Sequence, residues 1–254
     1  MTDTITLDVN GTTHTIDTHP EMPLLYALRN DIGLSNPPVG PQIHFASESF
    51  IDEVAAALNV DPIEFRLRHV KNTRDIAVIK AAAEKSGWVT RLSPRRDQTG
   101  NSVSGRGIAY AQRNGTIVAV VAEVDVDRST GRIFARRFTV AHHCGQIINP
   151  DGLTKTIEGN IVQGVSRTLW EEVRFDRKNV TSIDWLTYPI LDITETPETI
   201  DVVLINRPEL APTGAGEPSI RPVAAAIANA IFDATGVRIR RVPFSPDRVK
   251  AALS

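Results

Sequence analysis

The sequence predicts an α+β fold, and three observations carry that prediction. Residues 115–127 and 132–141 are β-branched runs joined by Arg128-Ser129-Thr130-Gly131, the pattern of an antiparallel hairpin. Residues 153–170 and 218–235 carry apolar side chains at helical spacing; the second stretch is Ala-rich and nearly uncharged, as a buried helix is. A short strand, 200–205, lies between them. The order strand, strand, helix, strand, helix, with antiparallel neighbours, favours α+β over a doubly wound sheet.

The bulk numbers set the class. With 254 residues the prior is about one and a half domains. Hydrophobic residues at 41% and charged residues at 23% match an ordinary soluble globular protein. A net charge of −2 gives no strongly basic surface that would invite nucleic acid, and the bulk numbers do not call for a local basic patch. The single cysteine, Cys144, excludes an intrachain disulfide and a four-thiolate metal site built from this chain. Apolar stretches are too short to span a bilayer, and Met1-Thr2-Asp3-Thr4 opens no secretory signal. The expectation is cytoplasmic, with no membrane and no nucleic-acid partner.

Four segments follow along the chain. Residues 4–17 alternate around Asn10-Gly11, a hairpin signal because both residues tolerate positive φ. Leu24, Leu25, Leu28 and Ile32 then suggest one short helix stopped by Gly33. This first segment, 1–36, has little core of its own. After the turn-rich 36–41, segment 37–88 reads as three short helices. The first, 49–58, buries Phe50, Ile51, Val54 and Leu58. The second starts at Asp61-Pro62-Ile63-Glu64, with Asp as cap, Pro in the first turn and Glu three residues after the cap, and carries Phe65, Leu67 and Val70. The third runs over 76–86 and ends at Gly87-Trp88. Residues 89–105 are polar and turn-rich, a linker or surface loop, and 106–254 form the sheet-and-helix domain. Residues 144–152 read as a loop ending in turn formers. Gly159 and Gly164, inside the helix at 153–170, each cost about 1 kcal/mol against Ala, so a backbone or a ligand should approach there.

The most unusual stretch is 208–218, PELAPTGAGEP. Gly214, Ala215 and Gly216 would let a bulky planar ligand come against the backbone. Glu217, shielded by that ligand and with no cation nearby in sequence, would have the raised pKa of a general base. The competing reading is a Gly-rich turn with a Glu stabilised by a helix N-terminus. His142-His143 are adjacent at a strand end and point to opposite faces, which disfavours a shared metal; one buried and one surface histidine is the expected arrangement. Cys144 is a nucleophile or, more commonly, a small buried hydrophobe. Gln163, on a mostly apolar helix face, is either a ligand contact or an amide satisfied within the protein.

Residues from about 39 onward resemble the C-terminal portion of the molybdenum-binding subunit of the xanthine dehydrogenase/aldehyde oxidase family, of the isoquinoline 1-oxidoreductase beta-subunit type. FASESFIDEVAAALNVDPIEFRL (45–67), CGQIINPDGLTKTIEGNIVQG (144–164) and GAGEPS (214–219) with the following Ala-rich helix carry the resemblance. The first 35 residues resemble the opening hairpin and helix of the two-iron, two-sulfur subunit of the same enzymes, without any cluster cysteine. The chain looks like a fusion of two partner subunits with the intervening part deleted. The fold implied is a residual β-grasp-like hairpin and helix, a helical segment, and a C-terminal domain of molybdenum-hydroxylase type.

The function implied is oxidative hydroxylation of an N-heterocycle or aldehyde with a molybdopterin cofactor. A glutamate takes a proton from a hydroxide on molybdenum, hydride passes to a sulfido ligand, and electrons leave through iron–sulfur clusters. Glu217 matches that catalytic glutamate, Gln163 matches a glutamine that contacts the pterin, and Gly214, Ala215 and Gly216 line the pocket. No protein residue is expected to ligate the metal. Pro37 stands about where the family has a cofactor-facing arginine, and the upstream region with the remaining cofactor contacts is absent, so the site is incomplete. Partners implied are an iron–sulfur subunit, the remaining molybdenum-subunit portion and a small-molecule substrate. The rival reading is a non-catalytic remnant or assembly module that keeps the fold and binds no cofactor.

One consequence follows from cysteine count alone. The purified chain should show no two-iron cluster, because one thiolate cannot replace four. Visible absorption with iron and sulfide analysis checks this, and stoichiometric iron and sulfide would refute it.

Overall fold

The computed structural model describes residues 3–9, 12–18, 40–95 and 97–254. They belong to two compact units, Met1–Gly40 and Pro41–Ser254. In the first unit, strands β1 (Asp3–Val9) and β2 (Thr12–Thr18) pair antiparallel with Val9 opposite Thr12. Ile5 faces Ile16 across the ladder, and Ile16 is buried. The alternation of residues 4–17 is thus realised as the predicted hairpin. The helix expected around Leu24–Ile32, its Gly33 stop, Asn10-Gly11 and Pro37 lie outside the described residues.

The second unit is built on a four-stranded sheet. Strands β3 (Ser102–Arg113), β4 (Thr116–Asp127), β5 (Ile133–His143) and β6 (Thr199–Leu204) lie in that order. The first three are antiparallel, and β6 runs parallel to β5 along the edge, so the sheet is mixed. Helix α4 (Pro150–Leu169) makes the crossover from β5 to β6. Helices cover both faces. Val118, Val120, Val124 and Phe138 pack with α4, α5 (Val223–Thr235) and α6 (Pro246–Leu253). Ile108, Ile117, Ala119 and Val121 pack against Ile63 of α2 (Pro62–His69) and Val78, Ile79 and Ala82 of α3 (Thr73–Lys85). This is why β4 reads as an almost unbroken apolar run: neither of its faces meets water.

Strand β3 begins inside the stretch 89–105 that reads as a linker. Its glycines and alanines are weak strand formers, so local propensity hides it. Their smallness has a tertiary cause, because α5 lies directly on the strand. A Cβ on Gly105 would collide with the Ala230 carbonyl and sit 2.6 Å from the Ala234 nitrogen. A Cβ on Gly107 would collide with the Ala226 carbonyl and sit 2.7 Å from the Asn229 carbonyl carbon. The rest of the stretch is tied down as well: the Arg91 amide donates to Asp61 Oδ2 at 3.0 Å, and the Arg91 guanidinium grips both oxygens of Asp233.

Helix α1 (Gly40–Ala57) corrects the expected 49–58 in length and in face. Gly40 and Pro41, expected in a turn, form its first turn, where proline's missing N–H costs nothing. Phe50 is 56% exposed and Leu58 61%, while Glu48, Asp52 and Ala55 are buried. The buried face is charged because it meets a buried cation. Arg66 Nε donates to Glu48 Oε2 at 3.0 Å, Arg66 Nη1 lies 3.8 Å from Asp52, and Arg238 Nη2 lies 2.8 Å from Asp52. Periodicity in apolar residues cannot see such a face.

The other helix starts agree with or extend the sequence reading. Asp61 caps α2, accepting from the Ile63 amide at 2.8 Å and the Glu64 amide at 3.0 Å. Ile63 and Arg66 are its deeply buried residues, with Phe65, Leu67 and Val70 half-buried. Helix α4 starts at Pro150 rather than 153, its Gly152 amide held by the Asn149 side chain at 2.9 Å. Gly164 lies under Val223, whose Cβ would be 2.8 Å from an added methyl, whereas Gly159 faces open space. The predicted helix at 218–235 is broken into a 3₁₀ turn, Pro218–Ile220, and α5.

The glycines therefore separate by environment. Gly107→Ala should lower the urea midpoint by the equivalent of about 3 kcal/mol, since the colliding atoms are backbone and cannot rotate away. Gly159→Ala should raise it by about 0.5–1 kcal/mol, as an unhindered helix-interior substitution does. Equal effects at the two positions would contradict the packing described.

Candidate functional site

Strands β3 and β5 end, and β4 begins, at one end of the sheet, and the chain leaving β6 returns there. Residues 205–213 are zipped onto 144–147. The Arg207 amide donates to Gly145 O at 3.1 Å, the Gln146 amide to Leu210 O at 3.0 Å, and the Thr213 amide to Cys144 O at 2.8 Å. Gly145 has φ +78°, and a Cβ there would strike the Ala211 carbonyl, so this contact requires glycine.

The segment that follows is held from three elements. Thr116 Oγ1, at the start of β4, donates to Gly214 O at 2.8 Å. Asn160 Nδ2, on α4, donates to Gly216 O at 2.9 Å, and its Oδ1 accepts from the Ile220 amide at 3.1 Å. His142 Nδ1, near the end of β5, lies 3.0 Å from Ser219 Oγ. Gln163 is three residues beyond Asn160, a helical neighbour on the same side of α4, and is exposed. The structure thus brings Gly214, Ala215, Gly216 and Glu217 to the sheet end and Gln163 to the helix that clamps them. A Cβ on Gly214 or Gly216 would meet nothing within 4 Å, so the backbone there faces open space.

Glu217 is 66% exposed, and Arg113 Nη2, from the last residue of β3, lies 3.0 Å from its Oε2. The expectation of no cation nearby in sequence is corrected by Arg221, four residues on, and β3 supplies a second cation, Arg113, from a distant part of the chain. Arg221 stands four residues beyond Glu217, half-buried. Burial, then the charge of Arg113, depresses the affinity of its guanidinium for the proton, while Glu217 partly offsets both. Sequence reasoning missed Arg113, Thr116, Asn160 and Ser219. Asn160 and Ser219 left a trace only as members of the quoted segments 144–164 and 214–219, with no role attached to either.

The two histidines point to opposite faces, as strand geometry requires, but both are buried; the expectation of one at the surface is corrected. His143 sits against Arg74, whose Nε lies 3.2 Å from its Nε2, because α3 covers that face of the sheet. Burial and the Arg74 charge push its pKa down. His142 is buried against Ser219, its Nε2 has no hydrogen-bond partner among the described residues, and burial lowers its pKa to about 4. Cys144 is buried among apolar residues, and burial raises its thiol pKa, which fits a packed hydrophobe rather than a nucleophile. Among the described residues no three His, Cys, Asp or Glu side chains cluster to hold a metal ion.

This donor set suits one face of a large planar cofactor that brings its own metal ligands. Exposed backbone without side chains admits the ring, and the Gln163 amide can donate and accept at its edge. The family described as the molybdopterin cofactor-binding domain matches residues 49–197. The chain belongs to this family. It is the family of the molybdenum-binding subunits of the xanthine dehydrogenase and aldehyde oxidase type, as the resemblance implied.

The chain is 44% identical over 218 residues to one of the subunits of nicotinate dehydrogenase from Pseudomonas putida, covering 82% of this chain and 18% of that protein. It is 32% identical over 206 residues to the beta chain of isoquinoline 1-oxidoreductase from Brevundimonas diminuta, covering 81% of this chain and 26% of that one. Its fold is similar to that of the aldehyde oxidoreductase from Desulfovibrio desulfuricans, with TM-score 0.71 at 15% identity over 85% of this chain and 41% of the other. The chain therefore spans well under two thirds of each. Gln163 lies within the family match and residues 214–217 lie beyond it. No helix among the described residues is long and apolar enough to cross a membrane.

The buried imidazole of His142 gives a checkable pH dependence. Unfolded, it binds a proton below about 6.5; folded, only near 4. The unfolded state binds more protons between those values, so stability falls as pH falls through that window. Between pH 7 and pH 5 this one group should remove about 2 kcal/mol. Denaturant unfolding at several pH values should show a flatter dependence for His142→Asn by that amount, and an unchanged slope would refute it.

Proposed function

We propose that this chain is a partial molybdenum hydroxylase, forming one wall of a molybdopterin site and oxidatively hydroxylating an N-heterocycle or an aldehyde when a partner chain completes the site. The observation that carries the reading is the open backbone of Gly214–Gly216 next to Glu217 at one end of the sheet, held by Asn160 of α4, the helix that also carries the exposed Gln163. When bound, the cofactor supplies the two-electron oxidation of the substrate carbon. The chain's own residues do the rest. Gly214, Ala215 and Gly216 accept the planar ring against the backbone, and Gln163 hydrogen-bonds its edge. Glu217 takes the proton from the oxygen that attacks the substrate; its side chain is 66% exposed, and it must leave its ion pair with Arg113 to reach that oxygen.

Two features support the need for partners. The segment between α4 and β6 displays Trp185 at 76% and Leu186 at 91% exposure, with Ile183 just before them and Ile193 further along also exposed. Asp184 Oδ1, accepting from the Leu186 and Thr187 amides, holds the turn that carries them, and such an ordered apolar surface suits the remaining molybdenum-subunit portion. Electrons need a path off the cofactor, and with a single cysteine here an iron–sulfur subunit provides it. Cytoplasmic assembly is the setting we assign.

The test has two parts. Molybdenum is measured by mass spectrometry on the chain alone and with its partner subunits; no metal in either state favours the rival reading of a module that keeps the fold and binds no cofactor. Where turnover is seen, Glu217→Gln should cost at least about a hundredfold in kcat per bound molybdenum, because glutamine keeps the shape and cannot take the proton. Near wild-type turnover per metal would remove Glu217 from the mechanism.

A further inference from the structure

The end of the sheet that carries Glu217 holds more positive charge than its own residues use. Arg113 and Arg221 stand beside a single carboxylate. Arg113 reaches Glu217 at 3.0 Å and keeps about a third of its side chain exposed. Arg221 follows Glu217 by four residues, and its backbone amide, donating to Pro218 O at 3.3 Å, fixes it at the end of the 3₁₀ turn. Its guanidinium is half-buried and has no hydrogen bond or ion pair among the described residues. Arginine keeps its charge under all ordinary conditions, so a partly desolvated guanidinium without a partner is short of an anion. Burial and the neighbouring Arg113 charge destabilise this cation further. In the same segment, just before Glu217, the backbone at Gly214 and Gly216 faces nothing within 4 Å of a built Cβ.

We propose that Arg113 and Arg221 form an anion subsite next to Glu217, which takes the planar oxygens of a carboxylate or the oxygens of a phosphate on the ligand that lies over Gly214–Gly216. This rests on reading that open backbone as the ligand wall, and it adds a charge requirement to the ligand. An arriving anion competes with Glu217 for Arg113. Arg221 supplies a second set of donors, and Glu217 is then released from its ion pair to face the reacting atoms. Two sources fit the chemistry: a carboxylate on an aromatic substrate, or a phosphate such as a cofactor carries.

The test uses the purified full chain and needs neither molybdenum nor turnover. Benzoate, inorganic phosphate and the neutral analogue benzamide are titrated by calorimetry, and the Gly214 and Gly216 amides are followed by NMR. Benzoate or phosphate should bind and shift those amides, with affinity falling as salt rises, and benzamide should not. Preference for benzoate assigns the site to a substrate carboxylate, and preference for phosphate to a phosphate group. Arg221→Gln should weaken binding about tenfold or more, the loss of charge-assisted hydrogen bonds, with Arg113→Gln acting in the same direction. Arg221→Lys, which keeps the charge, should retain part of the affinity. Arg136→Gln, paired with Asp125 and Glu198 elsewhere, should bind as wild type does.

No binding of either anion, or undiminished binding by a folded Arg221→Gln, overturns the subsite. That outcome leaves the Glu217 reading standing. Loss of the Glu217 role in turnover, in turn, leaves the anion measurement standing, so the two failures are distinguishable.

Discussion

The close approach of α5 to β3 is the constraint on which most of this structure depends. Backbone meets backbone because Gly105 and Gly107 present no side chain and α5 offers alanines in return. At that separation the polar residues of α5 reach through the layer. Asn229 Nδ2 donates to Ile108 O at 3.0 Å and to Glu48 O at 3.3 Å, and Asp233 accepts the Arg106 amide at 2.9 Å while holding Arg91. One helix thereby fixes the sheet, the first helix of the unit and the polar stretch before β3. The same placement sets where α5 begins, and so where Pro218–Ile220 and the residues before it must lie.

Buried charge is the second organising feature. Glu48, Asp52 and Arg66 are almost wholly removed from water, and Arg238 closes the group from beyond α5. Removing ions from water costs several kcal/mol each, and mutual attraction recovers that only with good geometry and further hydrogen bonds. Arg66 meets the condition, donating as well to Pro62 O at 2.9 Å and Ile108 O at 3.3 Å. Asp52 meets it less fully, and burial outweighs its two arginines to hold its carboxyl pKa above the usual range. Such a cluster gives little net stability, but it admits one orientation of α1 because any rotation would strand a charge in the core.

At the site the same logic runs outward. Polar contacts, Thr116 to Gly214, Asn160 to Gly216 and the buried His142 to Ser219, fix a short segment from beneath. Its upper side is left open, with Glu217, Gln163, Gly214 and Gly216 exposed. A segment rigid below and bare above is suited to receiving a flat ligand, because little ordering remains to be done on binding. The two arginines beside it add positive charge, and Glu217 is the carboxylate that Arg113 pairs with.

Local rules determined a good deal. The alternation at 4–17, the Asp61-Pro62 helix start, the hairpin of β4 and β5 and the buried Ala-rich helix depend on neighbours in sequence, and each formed as those rules required. The motif GAGEPS and Gln163 were legible as candidates because small residues next to a carboxylate, and an amide on an apolar helix, are locally unusual. Tertiary structure decided the rest. Strand β3 exists because α5 needs glycines beneath it; α1 turns its acidic face inward because Arg66 is already there; His143 is buried because α3 covers its side of the sheet. Above all, Arg113 stands beside Glu217 only because β3 ends where the chain returns from β6. Sequence separation hides such a pairing, since charge acts through space and only the fold fixes the distance.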